Sequence, residues 1–299
     1  MAGPLSSAPV AGSPAGLPGS PPGSLGPGPD RVGSAHRGPL RRATSWVGRN
    51  LWWLFLVLLA LATVLLHGYH GGQENLNQTL LAPSLRHPLG TDDLGRDVLQ
   101  SVLAGLPWSV EVSALATAVA GALSLVVGIV AAWYSGLASR AALRLIDFYV
   151  AFPFVVLAIV LIGVVGRGTT QLGIILGLGI WPIVARIVYS EARRIKEEEF
   201  VVYARVVWHS DIQVIVRHVV PSLFKRFAVV SAFVFGDVLG ASAALAFLGI
   251  GPPLGTPNWG SQIASGQQYL STAPWIAAGP GAALVILVVL VNLLADRVR

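Results

Sequence analysis

Six apolar runs, separated by polar blocks, organise most of this chain; they lie at roughly 47–68, 107–134, 143–165, 170–190, 227–249 and 276–295. A bilayer crossing takes about 20 mostly apolar residues, at about 1.5 Å rise, to span about 30 Å of hydrocarbon. Each run meets that length, so the pattern predicts an all-α, polytopic membrane protein with six transmembrane helices. The second and fifth runs are long or glycine-rich enough to tilt or bend. Pro153, Pro182 and Pro280 fall within or at the ends of spans, where neighbouring helices can cover the freed carbonyls. No internal repeat is visible.

The runs divide the chain into a tail, 1–45, and a transmembrane domain, 46–299. Through residue 40 the tail is dense in Pro, Gly, Ser and Ala, too poor in large apolar residues to offset chain entropy, which predicts disorder. Its basic residues come late, just before the first run, as in an uncleaved anchor rather than a signal peptide. Within the domain, polar stretches predict an external loop over 69–105 and a cytoplasmic loop over 191–226.

The cytoplasmic loop holds most of the charge found between spans. Residues 191–208 have helical character, with Glu197, Glu198 and Glu199 early and Phe200, Ala204 and Val207 at i, i+4, i+7 spacing. Ser210 followed by Gln213 is a capping-box pattern, so a second short helix is expected to run towards His218, with Pro221 beginning the next span. Helix, turn, helix is the expected shape. The segment also fits an amphipathic connector resting on lipid headgroups. In the external loop Thr91 is a plausible N-cap, placing Asp92 and Asp93 in a first helical turn. Asp92 and Arg96 then form an attractive i,i+4 pair, and Asp93 and Asp97 a repulsive one. Pro257 to Trp275 carries no charge, and Trp259 and Trp275 suit an interfacial aromatic belt.

Composition agrees with lipid as the solvent: 54% of residues are hydrophobic, 11% charged, and mean hydropathy is +0.69. The formal charge of +6 does not point to nucleic acid, because the basic residues sit beside apolar runs without basic–aromatic interleaving. Five lie at or before Arg49, two at Arg140 and Arg144, eight from Arg186 to Arg226, and two at Arg297 and Arg299; only Arg86, Arg96 and Arg167 fall in the intervening loops. Seventeen against three is a strong positive-inside bias that places both termini in the cytoplasm. The chain has no cysteine, which excludes disulfides, thiolate metal sites and cysteine nucleophiles.

Asp237 lies inside the fifth run, and Glu111 and Asp147 lie near span entrances. An intramembrane acid is costly and marks a candidate site; Asp237 either faces a translocation cavity or packs, neutral or hydrogen-bonded, between helices. Arg186 suits a snorkelling position at the cytoplasmic boundary. No lysine follows a glycine in a phosphate-loop pattern, no H-E-x-x-H occurs, and Gly240-Ala241-Ser242 lacks the glycine of a nucleophile elbow. No enzymatic site or metal site is expected. A secondary transporter is the better rival reading, although it calls for inverted repeats and several midplane polar groups.

The sequence Glu199-Phe200-Val201-Val202-Tyr203-Ala204-Arg205-Val206-Val207-Trp208, then Ser210-Asp211, then Arg217-His218-Val219-Val220-Pro221, resembles the coupling loop of ABC-importer permeases. Three further blocks resemble the C-type subunit of the dipeptide, oligopeptide and nickel permeases. They are His87-Pro88-Leu89-Gly90-Thr91-Asp92-Asp93-Leu94-Gly95-Arg96-Asp97-Val98, Ala244 to Gly251, and Pro257-Asn258-Trp259-Gly260 with Ala273-Pro274-Trp275 after it. The resemblance covers about residues 47–299. In the family pattern the positions of Val202 and Tyr203 carry Glu and Ala, that of Trp208 carries Gly, and that of Ser242 often carries a carboxylate. A glycine at 208 would turn the chain at little backbone cost.

The resemblance implies a type I ABC importer permease fold in the plasma membrane of a prokaryote. It implies a second homologous permease subunit, two ABC ATPase subunits that bind ATP and Mg in place of this chain, and an extracytoplasmic substrate-binding protein. Glu199, Phe200, Ala204, Arg205, Ser210, Asp211, His218 and Pro221 are then the ATPase-coupling residues. Gly90, Thr91, Asp92, Gly95, Arg96 and Asp97 form an external element facing the partners, and Asp237 and Ser242 are pore candidates. The implied cargo is di- or oligopeptide, with nickel or another small solute as the alternative.

Overall fold

The computed structural model describes residues 54–298, apart from positions 70, 152, 208, 209 and 254. The tail 1–45, the start of the first apolar run and Trp208 lie outside the described residues. Every regular element among those described is helical; the nearest approach to a strand is an isolated bridge between Thr91 and Asp97.

In chain order the helices are α1 (Leu54–Leu66), α2 (Val98–Trp133), α3 (Leu137–Val150), α4 (Phe154–Val165) and α5 (Thr169–Lys196). After them come α6 (Glu199–Val207), α7 (Asp211–Phe247), α8 (Trp259–Gly266) and α9 (Trp275–Val298). Among the described residues four helices, α2, α5, α7 and α9, are long and apolar enough to cross a membrane; α1 and the 156–165 part of α4 are shorter apolar helices. Each of the six overlaps one of the six apolar runs.

One run departs from expectation. Residues 143–165 do not form a single span but the end of α3 and all of α4, broken before Pro153, which takes the extended backbone of an N-cap. Proline has no N–H to donate and disfavours helix in the residue before it. Arg144 and Asp147 also place charge in the first half of the run, and α3 has only Ile146 fully buried.

The core is built on α2 against α5. Gly173 and Gly177, one turn apart on α5, press on Leu115, Ala116 and Val119 of α2; a Cβ at Gly177 would meet the Ala116 carbonyl oxygen at 2.7 Å. Small residues of this spacing let backbones approach closely where apolar burial gives no preference over lipid. Lower down, Gly128 admits Val188, and the Ser124 hydroxyl donates to the Trp181 carbonyl at 2.9 Å. α7 and α9 complete the bundle: Gly236 packs beside Asn292 and Val288.

Candidate functional site

The 191–226 loop builds its first helix, α6, so that one face is buried and the rest uncovered. Val201 and Ala204 are buried in the core at 0% and 7% exposure, whereas Phe200, Val202, Tyr203, Val206 and Val207 are exposed. Tyr203, Val206 and Val207 reach 70%, 76% and 70%. Ile212 and Val216 extend this apolar surface onto the start of α7. Such a surface on a segment outside the spans marks a contact site. Val202 and Tyr203, where the family pattern has Glu and Ala, enlarge it. Ala204 faces inward and is not part of it.

The helix is held from behind. The Arg205 guanidinium lies 4.8 Å from the centre of the Trp133 ring, and it pairs with Asp211 at 3.6 Å, bridging from α6 to the start of α7. The Lys196 ammonium sits over the same ring at 5.6 Å and donates to the Trp133 carbonyl at 2.6 Å, covering a carbonyl that α2 leaves open at its end. Glu199 is exposed in the first turn of α6, where the helix dipole favours an anion.

The second helix differs from expectation in two ways. Ser210 occupies the N-cap position, and its carbonyl accepts the Gln213 and Val214 N–H groups at 3.1 and 3.2 Å, but its hydroxyl makes no cap bond, so the capping box does not form. Nor does the helix stop near His218. It continues through one π-helical turn, Ile215–Val219, into the fifth span as a single helix of 37 residues. Pro221 lacks an N–H and its ring crowds the preceding turn; a wider turn placed just before it, in which the Val220 N–H reaches the Ile215 carbonyl, accommodates both. The Ser222 hydroxyl donates to the His218 carbonyl at 2.6 Å. His218 Nδ1 is buried without a hydrogen-bond partner among the described residues.

Glu191 joins α5 to α7. It is 9% exposed, accepts from Arg194 at 2.7 Å and pairs with Arg226; Arg194 also pairs with Glu198 at 2.8 Å. A cleft of about 490 Å³ opens beside this cluster, with Ser190, Glu191, Arg226, Val230 and Phe233 among its walls.

In the 69–105 loop Thr91 is not a helix cap. It is fully buried, donates its hydroxyl to the Gln78 carbonyl at 2.6 Å and accepts the Leu81 N–H at 2.8 Å, while its carbonyl accepts the Trp275 indole N–H at 3.1 Å. Asp92 closes a tight loop: it accepts the Leu94 and Arg96 N–H groups at 2.9 and 2.8 Å and pairs with Arg96 Nε at 2.9 Å. Asp97 is the N-cap of α2, accepting from Leu99 at 2.8 Å and pairing with His87 at 2.8 Å. The Asp92–Arg96 pair therefore forms in a loop, not along a helix. Gly90 and Gly95 have positive φ, and a Cβ at Gly95 would lie 1.8 Å from the Asn75 carbonyl oxygen. Gly90, Thr91, Asp92, Gly95 and Asp97 are buried and Arg96 half-buried, so the motif is scaffold. What it holds outward is the stretch Gln73–Asn77 and Leu80–Arg86. Trp259 is 2% exposed, packed against Gly105 with its N–H on the Val102 carbonyl at 2.8 Å; it anchors α8 to α2 rather than joining an aromatic belt. The Tyr269 hydroxyl donates to Asp93 at 3.4 Å, and that carboxylate raises the phenol's pKa above its ordinary 10.0.

Within the spans, Glu111 pairs with His67 at 2.9 Å, and Arg186 pairs with Asp147 rather than only snorkelling. Asp237 is exposed on α7; Ser242 is buried at 1%, its hydroxyl on the Leu239 carbonyl at 3.0 Å, facing the subunit interior. Sequence reasoning missed Trp133, Lys196 and Glu191 as parts of this assembly, since Trp133 lies 63 residues from Lys196 and Glu191 lies 35 from Arg226.

Residues 124–299 match the family described as binding-protein-dependent transport system inner membrane component. A candidate peptide transport system permease protein of Brucella suis is 34% identical over 263 residues, 87% of each chain. The dipeptide transport system permease protein of Alkalihalophilus pseudofirmus is 29% identical, covering 81% of this chain and 80% of that one. The glutathione transport system permease protein of Escherichia coli is 32% identical, covering 76% and 74%. Among solved structures, a chain of the MetNI methionine ABC transporter in an inward facing conformation superposes with a TM-score of 0.55 at 18% identity, over 66% of this chain and 93% of that one. At that identity the likeness establishes a shared fold.

Proposed function

The chain belongs to the binding-protein-dependent transport system inner membrane component family, and we propose that it is one of two permease subunits of an ATP-driven importer that carries di- or oligopeptides. It is a multi-pass membrane protein with the fold of an ABC importer permease. Relatives named for peptide, dipeptide and glutathione transport support the cargo class; glutathione is itself a small peptide. In this reading both termini are cytoplasmic, two ATPase subunits bind the ATP and Mg, and an external binding protein delivers cargo.

The observation that carries the reading is the uncovered apolar face of α6, with Phe200 and Tyr203 at its centre. It belongs to a charged loop on the side rich in Lys and Arg, where an ATPase subunit would seat. Through Arg205 and Trp133 that face is fixed to the end of α2, and through the unbroken α7 it is fixed to the fifth span. ATP-driven closure of the ATPases would thus shift two spans and change which side of the pathway is open. Co-purification tests this directly. Phe200→Asp is expected to abolish retention of the ATPase subunits while the permease inserts normally, and unchanged retention would remove the reading's main support.

A further inference from the structure

Asp237 sits midway between Arg226 and the end of α7 at Phe247, and it is treated differently from Glu111 and Glu191, the acids of α2 and α5. Among the described residues Glu111 of α2 has His67 beside it and Glu191 of α5 has Arg194 and Arg226. Asp237 has no ion-pair or hydrogen-bond partner there, and it is exposed. Eleven residues separate it from Arg226, a rise of about 16 Å, roughly half the hydrocarbon thickness of about 30 Å. A carboxylate at that depth does not face lipid chains without severe cost. No described residue of this chain supplies its partner.

The surroundings indicate what kind of partner. Arg226, Phe233, Asp237 and Ala244 fall at i, i+7, i+11 and i+18, one stripe of the helix, and all four are exposed. Gly240, one turn beyond Asp237, has open space where a Cβ would be, so no described residue fills the volume beside that turn. At the cytoplasmic end the stripe runs into the cleft of about 490 Å³ that holds Ser190, Glu191 and Arg226 along with Phe233. The stripe thus carries one charged group at the membrane boundary, Arg226, and another at mid-depth, Asp237, with Phe233 between them.

Resting on the importer reading above, we infer that this stripe of α7 faces the translocation pathway and that Asp237 is a midway subsite for a cationic group on the cargo, the α-ammonium of a peptide. The ammonium would find there a carboxylate in a low-dielectric wall, with small residues leaving it room. No bond is made or broken; the subsite lowers the barrier for a positive charge at the depth where hydration is least.

The absence of cysteine makes a direct test possible. In the assembled transporter in proteoliposomes, Asp237→Cys, Phe233→Cys and Ala244→Cys are expected to react with water-soluble methanethiosulfonates, and the buried Val238→Cys is not. Phe233→Cys is further expected to prefer the cationic ethylammonium reagent over the anionic ethylsulfonate reagent by about tenfold beyond their ratio on a free thiol, and adding Asp237→Asn should cancel that preference. In transport, Asp237→Asn should lower uptake of dialanine about tenfold while Asp237→Glu keeps most of it. Unreactive stripe cysteines, cross-linking of Asp237→Cys to the second permease subunit, or a charge preference that survives Asp237→Asn would each overturn the inference. If labelling and charge preference appear as expected but the wild type takes up no dialanine, the subsite stands and the peptide reading fails instead.

Discussion

The Lys196 ammonium donates to the carbonyl of Trp133 at 2.6 Å, and the indole of the same tryptophan lies under both Lys196 and Arg205. Three elements therefore meet at one side chain: the end of α2, the end of α5 and helix α6. Trp133 is 3% exposed, so its ring also fills core volume. Trp133→Ala is expected to cost about 3–5 kcal/mol of stability and to lower transport per ATP hydrolysed. Trp133→Phe keeps an aromatic face for the two cations and should retain most of both. Thermal midpoints and coupled uptake and hydrolysis assays check this; equal coupling in the Ala variant would show that α6 moves independently of α2.

Phe200 and Ala204 separate docking from folding. Ala204 is buried, so Ala204→Asp places an unpaired carboxylate in the core and should reduce the yield of folded permease. Phe200 is 47% exposed, and Phe200→Asp should leave the detergent-solubilised permease monodisperse. Size-exclusion profiles of the two variants distinguish the roles, and similar aggregation in both would contradict the assigned faces.

Two glycines of positive φ should respond differently to alanine. At Gly95 a Cβ would collide with the Asn75 carbonyl, whereas Gly249 has nothing within 4 Å. Gly249→Ala carries only the conformational cost, about 1–2 kcal/mol; Gly95→Ala adds a clash and should open the external loop. Proteolysis from the external side reads the difference, and equal protection of the two variants would count against the packed loop.

The Tyr269–Asp93 contact should show in alkaline solution. Asp93 raises the phenol's pKa above 10.0, so the neutral phenol is favoured in the folded protein. The contribution is fully present below pH 10, the unfolded value, and is lost as pH rises through the raised value. The stability difference between wild type and Tyr269→Phe should be constant through neutral pH and shrink in strong alkali. A difference that grows with pH would contradict the contact.

The apolar runs were legible because crossing a bilayer imposes a length that sequence shows directly. Where two local signals competed, sequence did not decide. Thr91 read as the cap, but Asp97 caps α2, because Thr91 is drawn inward by Gln78, Leu81 and Trp275. Pro221 looked like a boundary, yet the π turn before it lets the helix run on. Pro153 looked like a kink and proved a break, since charged α3 had no reason to follow α4. The charged island stood out in the sequence, but which way Ala204 points depends on packing against distant helices. The Trp133 contacts and the Glu191–Arg226 pair left no local trace, because their partners are brought together only by the bundle.

The π turn at Ile215–Val219 matters for how force is passed on. An unbroken α7 of 37 residues is a strut of about 55 Å, so each degree of tilt at one tip displaces the other by about 1 Å. A hinge at residue 221 would have dissipated that torque at the membrane surface. With the proline absorbed into a single wide turn, a small nudge at Asp211 arrives at Asp237 and beyond as a movement of the whole helix.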